Sequence, residues 1–259
     1  MSDVVASILA GLTDRRPVSI PVALVAAHPD DETIGAGASL RLFGRLLLVH
    51  ATDGAPSNGV DAQAAGFPTV AEYAEARGVE LRAALFLAGA DPELVGLGFT
   101  DQAASANIGL GSRALAALLA RHGAACVITH PYEGGHPDHD ATACMVHAAC
   151  ALLPSPPCIV EMTSYHATAD GMACGVFLPN GEPHVTVPLS MMERAAKRAM
   201  LDAFTTQYAT LAPFGAIEEC FRQAPRYDFT QPPHPGTLYY ERFDWGMTGL
   251  RWRELAAAA

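Results

Sequence analysis

No two cysteines in this chain are spaced C-x-x-C. The six present, Cys126, Cys144, Cys150, Cys158, Cys174 and Cys220, lie in apolar stretches and read as buried thiols in a reducing compartment. The N-terminus has no basic leader before an apolar run, and Asp14, Arg15 and Arg16 break up its first apolar stretch. The early greasy stretch 18–27 is too short to span a bilayer and carries a proline. The expectation is a cytoplasmic protein without a transmembrane segment. Basic residues are scarce: 16 Lys plus Arg stand against 27 Asp plus Glu, a formal net charge of −11. A field of that sign repels nucleic acid and anionic membranes, so a small neutral or weakly charged substrate fits better than a polyanion. No internal repeat and no charge-rich or Gly/Ser linker divides the chain. Its 259 residues, half of them hydrophobic, are enough to bury a large core and are expected to form one domain, 1–259.

What is present is an alternation of buried strands and helices. Residues 3–12 fit a short amphipathic helix. Residues 22–27, Val-Ala-Leu-Val-Ala-Ala, are apolar on both faces, as a buried parallel strand requires. A helix is expected over 32–43, a strand over 46–51 and a turn at Thr52-Asp53-Gly54. A helix over 69–88 comes next, with Arg77, Glu80 and Arg82 at polar positions and Gly89 and Pro92 closing it. A strand near 94–98 leads to a loop around Asp101. Ser112 is expected to cap a helix reaching His122, 125–129 is a strong buried strand, and a helix runs from about 138 to 153. Beyond Pro154 the pattern predicts strands over 158–165, 185–187 and 237–243, and a helix over 189–207. This order argues for an α/β fold, a mostly parallel sheet with helices on both faces in a three-layer sandwich. The metal-binding core is expected at about 18–153, with substrate-specificity loops and late strands at about 154–250.

Two segments carry chemistry, His28-Pro29-Asp30-Asp31-Glu32 and His136-Pro137-Asp138-His139. Each comes after a predicted buried strand, and ligands of open parallel sheets sit beyond the carboxyl ends of strands. Imidazole and carboxylate are the normal ligands of a catalytic zinc, three from the protein with a further position open. Such an ion lowers the pKa of bound water and polarises a carbonyl. Two consecutive acids divide the labour, one ligating and its neighbour free to act as general base.

These segments resemble the PIG-L/LmbE-like family of zinc-dependent N-acetylglucosaminyl deacetylases. The resemblance implies a Rossmann-like sheet, Zn2+ held by His28, Asp31 and His139, and Asp30 as general base. It also implies that His136 stabilises the oxyanion or protonates the leaving amine. The implied reaction is hydrolysis of an N-acetyl group on an amino sugar or sugar conjugate, releasing acetate and a free amine. More weakly, Arg77-x-x-Glu80, Thr52-Asp53-Gly54, Asp101 and the Thr237-Leu-Tyr-Tyr-Glu241 segment match family habits, with Arg77 and Asp101 as candidate substrate contacts. Some relatives carry an oxyanion-binding tyrosine where this chain has Gly134, and the nearest tyrosine here, Tyr132, is the substitute candidate.

Structural readings compete at each point. Asp30, Asp31 and Glu32 favour a helix N-terminus at this position through its dipole, which accounts for an acid but not for the preceding His-Pro. Glu32 is expected to start the helix or to support a ligand histidine; Asp138 and Asp140 are read as caps. Arg77 fits a helix-surface salt bridge as well as a substrate contact. His50, His122, His130, His147, His166, His184 and His234 lack a ligand-like neighbour and are read as core or surface histidines. The rival functions are another metal-dependent hydrolase, such as a phosphoesterase, and a non-catalytic sugar- or metal-binding module. The ligand set also suits iron, cobalt or nickel. A small N-acetylated molecule is the expected partner, and a homo-oligomer is compatible with the sequence.

Overall fold

The computed structural model describes residues 2–179 and 181–259. Its centre is a seven-stranded sheet in the order β3-β2-β1-β4-β5-β9-β8. The strands are β1 (Val22–Ala26), β2 (Leu46–Pro56), β3 (Glu93–Asp101), β4 (Cys126–Thr129), β5 (Cys158–Met162), β8 (His184–Pro188) and β9 (Glu218–Gln223). The first five are parallel, whereas β9 runs antiparallel to β5 and β8 antiparallel to β9. A separate hairpin pairs β6 (Tyr165–Thr168) with β7 (Gly171–Cys174).

Strand β1 shows why the sheet is covered on both sides. All five of its residues are buried. Val22, Leu24 and Ala26 join one apolar cluster, and Ala23 and Val25 join the other. Successive side chains point to opposite faces, so a strand without a polar position needs two helical layers. The first cluster takes in α1 (Asp3–Thr13), α4 (Val70–Ala88) and α7 (Met191–Asp202). The second takes in α5 (Ile108–His122), α6 (Pro137–Ala151) and α9 (Gly249–Ala257). Helix α4 is bounded as its sequence demands: Thr69 caps the start by accepting from the Glu72 amide, and Gly89 ends it at φ 65°.

Several expectations are corrected. The helix over 32–43 is a short α2 (Asp31–Ala36) continued by a 3-10 turn, Gly37–Leu42. A Cβ on Gly35 would overlap the Met162 sulfur, and one on Gly37 would lie 3.2 Å from Met200 Cε. The segment is pressed flat on its neighbours there, and Ala36 leaves helical geometry at φ −141°. Strand 237–243 is instead a 3-10 turn, Tyr239–Arg242. The Glu241 carboxylate accepts from the amides of Leu238 and Gly249, and the Tyr239 amide donates to Gly134 O. Donors a sheet would pair are thus satisfied locally. Ser112 lies inside α5, bonding back to Ile108 O, and Asn107 stands at its N-cap. Strand β9, helix α9 and two short helices, α3 (Val60–Ala64) and α8 (Tyr208–Leu211), are unforeseen. Arg77 and Glu80 are not surface groups: they are 4% and 8% exposed. The chain's one lysine, Lys197, is also buried, donating to Ile34 O and Glu219.

Candidate metal centre

The sheet order reverses between β1 and β4, and crevices at such a point, beyond the strand carboxyl ends, receive ligands. His28 leaves the end of β1, and His136 and His139 stand at the start of α6 just past β4. Asp101 ends β3, and Tyr165 opens the hairpin after β5. They line a cleft of about 510 Å³.

His28, Asp31 and His139 meet although two distant loops supply them. His28 Nδ1 lies 3.3 Å from one Asp31 oxygen, His139 Nε2 lies 3.2 Å from the other, and the two ring nitrogens are 3.3 Å apart. Donor atoms held tetrahedrally about 2.1 Å from one zinc lie about 3.4 Å from each other, so each pair of these groups stands at ligand spacing, the two imidazoles facing opposite oxygens of the Asp31 carboxylate. Three groupings of donor atoms lie within ligand reach of one another: His28, His136 and His139; His28, Asp101, His136 and Asp138; and Asp31, His130 and His139. The trio above combines members of the first and third. His130 also approaches Asp31, at 3.4 Å, but its Nε2 accepts the Ala27 amide and its lone pair is engaged. Asp138 is near His28, but its two oxygens accept the Gln102 and Ala104 amides. It fastens the loop after β3, where a helix cap was expected.

Neighbouring groups fix the two imidazoles in orientation. With Nδ1 turned toward Asp31, His28 Nε2–H donates to Asp101 Oδ1 at 3.0 Å. His139 likewise donates from Nδ1 to the Ser164 hydroxyl at 3.2 Å. Such outer partners fix the tautomer and aim the ring. Burial draws the His139 imidazole down to about 4 despite Asp31, leaving it neutral and able to ligate near pH 7. Burial alone would raise the Asp31 carboxyl, but His139 and His130 outweigh it and hold it well below the usual range.

Asp30 is set apart from this triad. Its φ of 135° is rare for a residue with a side chain, and such strain gathers at functional sites. Its amide donates to Glu32, which also pairs with His50. Its carboxylate takes Arg77 Nη2 at 2.8 Å, and the same guanidinium donates to Pro29 O and Gly54 O. Gly54, at φ 67°, is required there, since a Cβ would meet the guanidinium. Burial pushes the Asp30 carboxyl up to about 8, with Arg77 opposing. Arg77 therefore clamps an acid and two carbonyls instead of forming a surface salt bridge.

His136 Nδ1 accepts the Asp138 amide, so the proton resides on Nε2, which faces Asp101 at 4.0 Å. Burial, helped by His28, keeps its pKa well below 6.5, and the ring is a neutral donor. Tyr132 is outside the cleft: it stacks on Trp252 in the second apolar cluster and donates to Gln231 O. Gly134 could not carry a tyrosine, because its φ is 73° and a Cβ would lie 2.7 Å from Leu238. The tyrosine in the cleft is Tyr165, with its ring 5.2 Å from that of His139. Sequence reasoning also passed over His130, whose ring stacks on His139 at 4.1 Å. Its place one residue past β4 was the available signal.

The family model described as GlcNAc-PI de-N-acetylase, PIG-L, matches residues 23–150, a span that contains both histidine segments. Residues 23–150 are thus similar in sequence to the PIG-L family. Comparison with curated protein sequences yields no match. Solved structures similar to the chain include the A40926 pseudoaglycone deacetylase Dbv21, at 19% identity and TM-score 0.63, covering 82% of this chain and 99% of that one. The zinc-inhibited form of teicoplanin deacetylase Orf2 is 18% identical with TM-score 0.59, covering 80% and 99%. N,N'-diacetylchitobiose deacetylase from Pyrococcus horikoshii is 18% identical with TM-score 0.61, covering 86% and 89%. The chain thus shares the α/β fold of these structures along most of their length. No helix among the described residues is long and apolar enough to cross a membrane.

Proposed function

We propose that the chain is a zinc-dependent N-deacetylase acting on an acetamido sugar or sugar conjugate, with His28, Asp31 and His139 as metal ligands. The observation that carries this reading is a buried trio of donors at ligand spacing with an unligated carboxylate, Asp30, next to it. A metal-sensing module has little use for that free acid. A phosphoesterase would want cations, and the cleft's one guanidinium is already committed to Asp30. The family description and the deacetylase neighbours support the amide over both.

A divalent ion bound by the triad would supply Lewis acidity toward water and the acetyl carbonyl. The protein's own groups do the rest. Asp30, held by Arg77, accepts the proton of the attacking water. The neutral His136 Nε2–H donates a hydrogen bond to the oxygen that gains negative charge as the carbonyl carbon becomes tetrahedral. That tautomer favours oxyanion stabilisation over proton donation for His136. The proton taken by Asp30 passes to the nitrogen as the C–N bond breaks, giving acetate and an amine. Arg77 and Asp101 act through Asp30 and His28 respectively, in place of direct substrate contacts.

Asp30→Asn tests the assignment by acetate release on N-acetylglucosamine and N,N'-diacetylchitobiose, together with metal content. The expected result is a loss of kcat of about 10²–10⁴-fold with metal retained. Undiminished turnover would remove Asp30 as base, and loss of metal would make it a ligand.

A further inference from the structure

One end of the cleft is built by residues that the catalytic reading does not use. Phe243 and Trp245 stack nearly parallel, at 4.6 Å between centroids and 13° between planes. Trp245 also lies 4.9 Å from the ring of His136, so the pair begins where the reacting amide ends. Phe243 is 40% exposed and Trp245 half-buried, and both line the cleft. Trp245 is one of only two tryptophans, the other being the fully buried Trp252. The pair lies beyond residue 150, outside the span matched by the family model.

Among the described residues that line the cleft, acids outnumber bases. Asp244 stands between the two rings in sequence, and Asp61 lines the same cleft close enough to Asp101 for the two carboxylates to repel. Five carboxylates in all line the cleft against one guanidinium, Arg77, which is buried and paired with Asp30. A divalent ion at the triad leaves the balance negative. Aromatic faces bind the C–H face of a sugar ring, whereas a phosphate at this end would face Asp244, with the flanking Arg242 guanidinium drawn away to Gly171 O and Thr168 O.

We propose that Phe243, Trp245, Asp244 and Asp61 form a specificity subsite for a second ring on the acetamido sugar. That ring is uncharged or amine-bearing, and the subsite discriminates against phosphorylated sugars such as a glycosyl phosphate headgroup. The proposal rests on the deacetylase reading for the position of the reacting amide. It narrows the substrate class to neutral or basic glycosides and assigns that choice to the chain's late segment.

The test reads binding and turnover separately. Tryptophan emission of the zinc-loaded protein is titrated with N,N'-diacetylchitobiose, N-acetylglucosamine and N-acetylglucosamine 1-phosphate. The disaccharide is expected to quench Trp245 and to bind at least about tenfold more tightly than the phosphate. Trp245→Ala should raise Kd and KM for the disaccharide about tenfold while changing the monosaccharide less than about threefold. Trp245→Phe should keep most of the affinity, and Trp252 emission reports that either variant is folded. Asp61→Asn combined with Asp244→Asn should narrow the gap between disaccharide and phosphate. Equal losses on monosaccharide and disaccharide in Trp245→Ala, or a phosphate bound as well as the disaccharide, would overturn the subsite. Quenching with no acetate released would leave the subsite standing and sink the deacetylase. Turnover indifferent to Trp245→Ala would do the reverse.

Discussion

Arg77 shows how much one side chain can carry in this cleft. Its guanidinium ties the strained Asp30 to the carbonyls of Pro29 and Gly54, joining the ends of β1 and β2 from a position on α4. It also opposes the burial that raises the Asp30 carboxyl. Removing the positive charge should therefore raise the Asp30 pKa further. The acid limb of the kcat/KM profile, set by ionisation of the base, should move to higher pH in Arg77→Gln, with kcat lowered even above that limb. An unmoved limb would show that Asp30 is not the titrating base. Asp101 offers a parallel test through its hydrogen bond to His28. Asp101→Asn should weaken zinc affinity about 10–100-fold, measured by competition with a chelator, because the ligand ring loses its orienting carboxylate.

At the scale of elements, the cleft depends on backbones that approach closely. Gly135 sits against the start of β6, and a Cβ there would overlap Tyr165 O. The clash is with main chain, so no side chain can rotate away from it. Gly135→Ala should cost about 1–3 kcal/mol in denaturant unfolding and push Tyr165 out of the cleft. The same packing explains which elements could be read in advance. Strands β1 and β4 are apolar on both faces, a signal that needs no tertiary context, and Thr69 and Gly89 mark α4 from local chemistry alone. The two histidine segments were legible because strand ends in a parallel sheet place their loops in one crevice. The Tyr239–Arg242 turn was not, since Tyr-Tyr-Glu-Arg has strand propensity and only Glu241 reaching the Leu238 and Gly249 amides reverses it. Arg77 read as a polar helix position because its partner, Asp30, lies 47 residues away. Trp245 was not legible as a cleft residue, as His136, more than a hundred residues earlier, meets it only in the folded chain.

For the whole molecule, two long-range ties make stability depend on conditions. The triad links loops after β1 and β4, so an ion that binds only the folded chain should stabilise it. Zinc at about 100 times its Kd should add about 2.7 kcal/mol to unfolding free energy, and EDTA should lower Tm correspondingly. Glu193 joins Arg15, Arg41 and the capping Ser190. Burial alone would raise its carboxyl, but the Ser190 amide and hydroxyl and Arg15 outweigh this and hold it at about 2. A carboxyl depressed in the folded state contributes stability above its unfolded pKa of about 4.3, and that contribution fades as pH falls toward the folded value. The Tm deficit of Glu193→Gln should thus be present at neutral pH and shrink as the solution is acidified below about 4.3.

The solitary lysine has a practical corollary. Lys197 is sealed between Ile34 and Glu219, so the folded chain presents no ε-amine to solvent. A fluorogenic reagent for primary amines would then find almost nothing on the native protein beyond its terminus. On the proposed deacetylase reading, each newly unmasked amine could be counted directly in the reaction mixture, without first removing the protein.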